Sequence, residues 1–142
     1  MSSPAVQIKN ALIDYLRNVA GNFTLPIPAE QIRGILDISG TPKDAYGIIV
    51  NCADLGDHFG NTGRVLVDCK PTICVYTHLD EDKDGTLLDS LAGDVLESVL
   101  GIMYSLDGWR VCWRGNWQTS GLTIDGAYRQ VELSATLPLN RI

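Results

Sequence analysis

The stretch Tyr128–Leu139, Y-R-Q-V-E-L-S-A-T-L-P-L, decides the fold. Val131, Leu133, Ala135 and Leu137 alternate with Gln130, Glu132, Ser134 and Thr136. A period of two with one apolar face and one polar face is a strand packed on a core on one side and wetted on the other. Val131, Leu133 and Leu137 are therefore expected to face inward, and Glu132 and Thr136 outward. Upstream, Trp109, Val111 and Trp113 alternate with Arg110, Cys112 and Arg114. The polar, glycine-containing link Thr119–Gly126 then predicts an antiparallel hairpin of these two strands.

Further toward the N-terminus, Tyr46–Ala53 is a β-branched run that reads as a strand. Arg64–Lys70 and Thr72–His78 read as two more, separated by Pro71, which lacks a ladder donor and so predicts a bend or bulge. Between them, residues 54–63 contain three glycines and read as a loop. Two helices complete the set. Ile8, Leu12, Tyr15, Leu16 and Val19 recur at helical spacing after Pro4, with Ser2 or Ser3 as cap and Gly21 as the stop. The second helix is expected over Thr86–Ser105, with Gly93 and Gly101 inside it as places for close packing. The sum is an α+β domain spanning 1–142: an antiparallel sheet with two α-helices packed on one face.

Residues 22–44 do not fit either period. Three prolines and two glycines deny this segment a helix. It reads as an extended, proline-rich arm, with a short strand or turn around Ile35–Ile38. Yet Phe23, Leu25, Ile27, Ile32, Ile35, Leu36 and Ile38 make it too apolar for a solvated linker. A home on a neighbouring subunit is the expectation for it.

Composition narrows the function. The chain has 142 residues, a formal net charge of −6 and dispersed basic residues, which argues against a nucleic-acid surface. The N-terminus lacks the apolar core of a signal peptide, and no run is long enough to span a bilayer. Four cysteines occur without a C-x-x-C, and His58 and His78 stand far apart, so zinc spacing is absent. Cys52, Cys69 and Cys74 lie in apolar strands as small hydrophobes, in keeping with folding in a reducing cytosol. No nucleophile-and-base motif, metalloprotease motif or phosphate loop is present, so no enzyme is expected and no cofactor.

Two local features invite a functional reading. D-E-D-K-D-G-T, Asp80–Thr86, opens like a calcium loop, with Asp80, Asp82, Asp84 and Gly85 in place. Its twelfth position is Leu91 where a bidentate Glu belongs, and a strand precedes it where a helix should. An acidic strand-to-helix turn with Asp84 or Thr86 as cap is the better reading, in which the three carboxylates are replaceable by Asn. Trp109, Trp113 and Trp117, spaced by four, are expected on one strand face, either under the helices or as a contact platform.

The helix I-K-N-A-L-I-D-Y-L-R, the strand P-T-I-C-V-Y-T-H, the helix L-L-D-S-L-A-G-D-V-L-E-S-V-L and the strand Y-R-Q-V-E-L-S-A-T-L together resemble phage tail terminator proteins. That group includes the minor tail protein U type and tail-completion proteins of the neck. The resemblance covers most of the chain as an order of elements, and the 22–44 arm departs from it. It implies a non-enzymatic virion protein, assembled in the host cytoplasm, that forms a homohexameric ring. The ring would cap the tail tube and join it to the head–tail connector, while DNA passes through its lumen without specific binding. Acidic residues of the 80–84 loop would line that lumen. Contact residues expected on this reading are Phe23, Leu25, Ile27, Ile35, Leu36, His58, Phe59 and Trp113. The rivals are a head–tail connector or adaptor, and a monomeric metal- or ligand-binding module built on Asp80, Asp82 and Asp84.

Overall fold

The computed structural model of the chain describes residues 3–34, 44–59 and 65–142, without the side chains at 58, 59 and 65. In chain order the elements are α1 (Pro4–Val19), β1 (Ile32–Gly34), β2 (Tyr46–Phe59), β3 (Val65–His78), α2 (Thr86–Leu100), β4 (Trp109–Val111), β5 (Gln118–Thr119), β6 (Thr123–Asp125), β7 (Tyr128–Ser134) and β8 (Leu137–Arg141). Short 3-10 turns at Ala20–Asn22 and Ala29–Gln31 lie between α1 and β1. The fold is α+β: among the described residues, eight strands form a single, mostly antiparallel sheet, with α1 over β1 and β2 and α2 over β3 and β7.

β3 is the spine. It pairs along its whole length with β2, and on its other side with β7 from Thr72 to His78 and with β8 from Leu66 to Cys69. The strands expected at Arg64–Lys70 and Thr72–His78 are thus one over the described residues, β3 from Val65 to His78, and Pro71 sits inside it. Within a strand the N–H and C=O of one residue point the same way. The Pro71 C=O accepts from the Ala135 N–H at 3.3 Å. The donor that proline lacks therefore faces the break between Ser134 and Leu137, where no ladder bond is needed.

That break also divides the deciding stretch into β7 and β8, and β4 pairs with β8. The expected hairpin of the 109–114 and 128–137 strands is corrected accordingly: the tight hairpin is β6–β7, turning at Gly126. The alternation itself holds. Val131, Leu133 and Leu137 are buried beneath the helices, and Glu132 and Thr136 are exposed. Ile48, Val50, Ile73 and Val75 continue the same apolar face into β2 and β3.

Two boundaries and one packing expectation differ from the sequence reading. Helix α2 stops at Leu100, because Gly101 ends it; residues 102–106 run on as irregular chain. Among the described residues nothing stands within 4 Å of where a Cβ at Gly93 would lie, so the close packing expected there is not seen. Residues 54–59 continue β2 past a bulge at Asp54/Gly56 instead of looping. The glycines favoured a loop, but Gly56 takes φ +96° at that bulge, where strand pairing survives.

The first half of the arm is part of the domain itself. Phe23, Ile27 and Ile32 lie in the same apolar cluster as Ile8, Leu12 and Leu16 of α1. Polar ties fix this segment: Arg17 donates to the carbonyls of Ala29 and Ile32, Tyr46 Oη donates to the Pro26 carbonyl, and the Thr24 N–H donates to Asp94 Oδ2 at 2.8 Å. Its strand is β1, Ile32–Gly34, parallel to β2. The strand or turn expected around Ile35–Ile38 lies outside the described residues.

Candidate functional site

The acidic turn divides by role. Asp82 is 2% exposed and is turned inward. Its Oδ2 accepts from Thr77 Oγ1 at 2.8 Å and from the Leu88 N–H at 2.9 Å; its Oδ1 accepts from the Leu87 N–H at 3.1 Å. Two of the unpaired amides of the first α2 turn are thereby satisfied by a carboxylate set before the helix. Burial alone would raise the Asp82 carboxyl. The amide of Leu88, the Thr77 hydroxyl, the amide of Leu87 and the nearby Arg129 outweigh it and hold the group below the usual carboxylate range. Arg129 further locks the turn by donating to the carbonyls of Asp82 and Lys83.

Asp84 Oδ1 accepts from the Thr86 N–H at 3.0 Å; the cap position itself is Gly85, with no side-chain cap bond, so the expectation of Asp84 or Thr86 as cap is corrected. Asp80 is 88% exposed at its side chain. The three carboxylates point apart, and among the described residues no group of three potential ligands is placed to hold a metal. The expectation that all three are replaceable by Asn is corrected at Asp82, whose two oxygens accept three hydrogen bonds.

The expected contact residues separate as well. Phe23 and Ile27 are 8% and 4% exposed within the chain's own core, which removes them from a contact surface; Leu25 is half-buried. Ile35 and Leu36 lie outside the described residues. His58 and Phe59 stand on β2 and not on a loop, their side chains being outside the description. Trp113 is 57% exposed.

The three tryptophans do not share a strand face. β4 ends at Val111, so Trp109 and Trp117 pack partly against the core while Trp113 projects beside Leu55, Lys70 and Thr136 on the outer face of the sheet. Gly115 makes the reversal between them: its φ is +70°, and a Cβ there would meet the Thr136 carbonyl at 2.6 Å.

Two exposed surfaces stand out that the sequence reading missed. One is a groove of about 380 Å³ between residues 102–106 and β4, walled by Trp109, Arg110 and Arg114 and rimmed by Met103 and Ile142. The other is β6 with its approach, where Leu122 and Ile124 are exposed beside the acidic turn. Apolar side chains inside an otherwise polar, glycine-containing link were the signal available for the second. On the helix-covered face, Cys52 and Cys69 sit side by side, and the hydrogen bond between them, then burial, pushes the Cys52 thiol up. Among the described residues, no helix is long and apolar enough to cross a membrane.

No family model matches the chain, and no curated protein matches its sequence. Solved structures do share the fold. A chain of a structure described as the virion of a native gene transfer agent particle superposes with a TM-score of 0.66 at 14% identity, over 98% of this chain and 99% of that one. A second solved chain superposes with a TM-score of 0.64 at 15% identity, over 99% of both chains. The class defined here is thus a fold: two helices on one face of a mostly antiparallel sheet, shared end to end with a chain of a gene transfer agent virion structure.

Proposed function

We infer that this protein is a structural component of a phage-like virion, and within that class a ring-forming tail terminator. It caps the tail tube, joins it to the head connector, and works as a building block without catalysis. The observation that carries the reading is the end-to-end match of its fold to a chain of a gene transfer agent virion, with 98% and 99% of the two chains aligned. The resemblance of its element order to the tail terminators points to the neck within such a particle. Exposed apolar residues at both ends of the sheet supply surface for contacts with copies and partners. A metal-binding module loses its support, because Asp82 turns inward, away from Asp80 and Asp84.

The test is electron microscopy of the full chain mixed with assembled tail tubes of its own particle. Rings seated on one end of each tube are expected. Bare tube ends beside free protein would contradict the reading.

A further inference from the structure

The two ends of the sheet carry opposite chemistry. At the His78 end of β3, Asp80, Glu81, Asp84, Asp89 and Asp125 are exposed, and Leu122 and Ile124, 51% and 61% exposed, lie on the same end, Leu122 next to Gly85 of the acidic turn. Lys83 is exposed there, and Arg129 is held on two backbone carbonyls of the turn. The opposite end holds the open groove, with Arg110 and Arg114 in its wall and Met103 and Ile142, 77% and 84% exposed, at its rim. Arg141 lies over the Trp109 ring at 5.2 Å next to it; the carboxylates of this region are Asp107, two residues before β4, and Asp68, opposite Pro138 of β8. β3 pairs with β8 at Leu66 and reaches the acidic turn after His78, so the surfaces stand about 40 Å apart at about 3.3 Å per residue.

We propose that the basic, apolar groove receives the acidic end of a second copy of this chain, head to tail. This rests on the ring reading and gives its subunit contact. With a net charge of −6, two copies repel on average. Association therefore needs local fields of opposite sign, and these two ends supply them, setting register and orientation. The exposed apolar side chains on both ends supply the area to bury. An antiparallel two-fold dimer would pair each groove with an acidic end and stop there, whereas the same contact made in one direction leaves a free surface at each end of the pair. Repeated head to tail, the contact closes a ring when the rotation between copies permits. The acidic turn then lies against a neighbour, and not along the channel as the sequence alone suggests.

Charge reversal on the full chain tests this, with light scattering on eluting protein as readout and circular dichroism as the check of fold. Arg110→Glu with Arg114→Glu makes both ends acidic; Glu81→Arg with Asp89→Arg makes both ends basic. Each double variant is expected to elute as a monomer where the wild type is a ring. An equimolar mixture of the two, and a chain carrying all four changes, are expected to regain the oligomer. Wild-type assembly should also weaken as salt rises. If the wild type forms rings and both double variants do too, this contact is wrong while the ring reading stands. Loss of assembly in all variants, without rescue in the mixture or the fourfold variant, would also overturn it. A wild type that remains monomeric alone, the outcome for a groove that takes a different virion protein, overturns the head-to-tail contact; the ring reading falls with it only if no ring forms when tail tubes are added.

Discussion

Thr77 and Asp82 meet beneath the first turn of α2, where the Thr77 hydroxyl donates to Asp82 Oδ2 at 2.8 Å. The last strand residues of β3 and the start of the helix are thereby tied through one buried carboxylate. Removing the side chain leaves the Leu87 and Leu88 amides and the Thr77 hydroxyl without their acceptor. Asp82→Ala is expected to cost about 2–3 kcal/mol, by analogy with lost caps and buried unpaired donors. Asp80→Ala should stay within about 0.5 kcal/mol, since its side chain is solvated. Urea denaturation of the two variants checks this, and equal effects would contradict the assignment.

The same carboxylate sets a pH dependence. Its folded-state value is lowered, so its contribution is fully present above the ordinary, unfolded carboxylate value of about 3.9 and is lost as pH falls through the lower folded value. The melting-temperature gap between wild type and Asp82→Asn should therefore be constant near neutrality and narrow below about pH 4. A gap independent of pH down to acid unfolding would place the stabilising interaction elsewhere.

How much of this was legible follows from periodicity. Val131, Leu133 and Leu137 declared their face because a half-buried strand repeats every two residues, and α1 declared its stripe from Ile8 to Leu16 for the same kind of reason. Pairing was not legible: the choice of β8 over β7 as partner of β4 depends on contacts between residues such as Trp109 and Arg141, far apart in sequence. The arm misled because prolines and glycines report the lack of a regular element and say nothing about burial. Phe23 and Ile27 are core residues in irregular backbone. The inward turn of Asp82 was hidden as well, since Asp80, Asp82 and Asp84 look alike until the helix axis is fixed.

Strand register gives a direct check of the core. Leu133 is fully buried opposite Ile73, and Glu132 lies on the outer face. Leu133→Ala should cost about 2–5 kcal/mol and Glu132→Ala less than about 1 kcal/mol in chemical denaturation. Similar small effects from both would mean the register is off by one residue.

Gly47 and Gly93 should respond in opposite directions. A Cβ at Gly47 would stand 2.5 Å from Tyr76 Oη and 2.8 Å from the Gln31 carbonyl, so Gly47→Ala forces the strand or the ring to move. A loss of about 1–3 kcal/mol is expected. Gly93 has empty space at its Cβ position on α2, and Gly93→Ala should raise stability by about 0.5–1 kcal/mol through helix propensity. Thermal melts of the two variants report both signs.

The central claim is self-assembly into a closed ring, and the molar mass of the purified full chain in solution tests it most directly. Light scattering across a hundredfold range of concentration at low salt should give a discrete species of six subunits that resists dilution. A mass of one subunit at every concentration, unchanged when tail tubes are added, would contradict it.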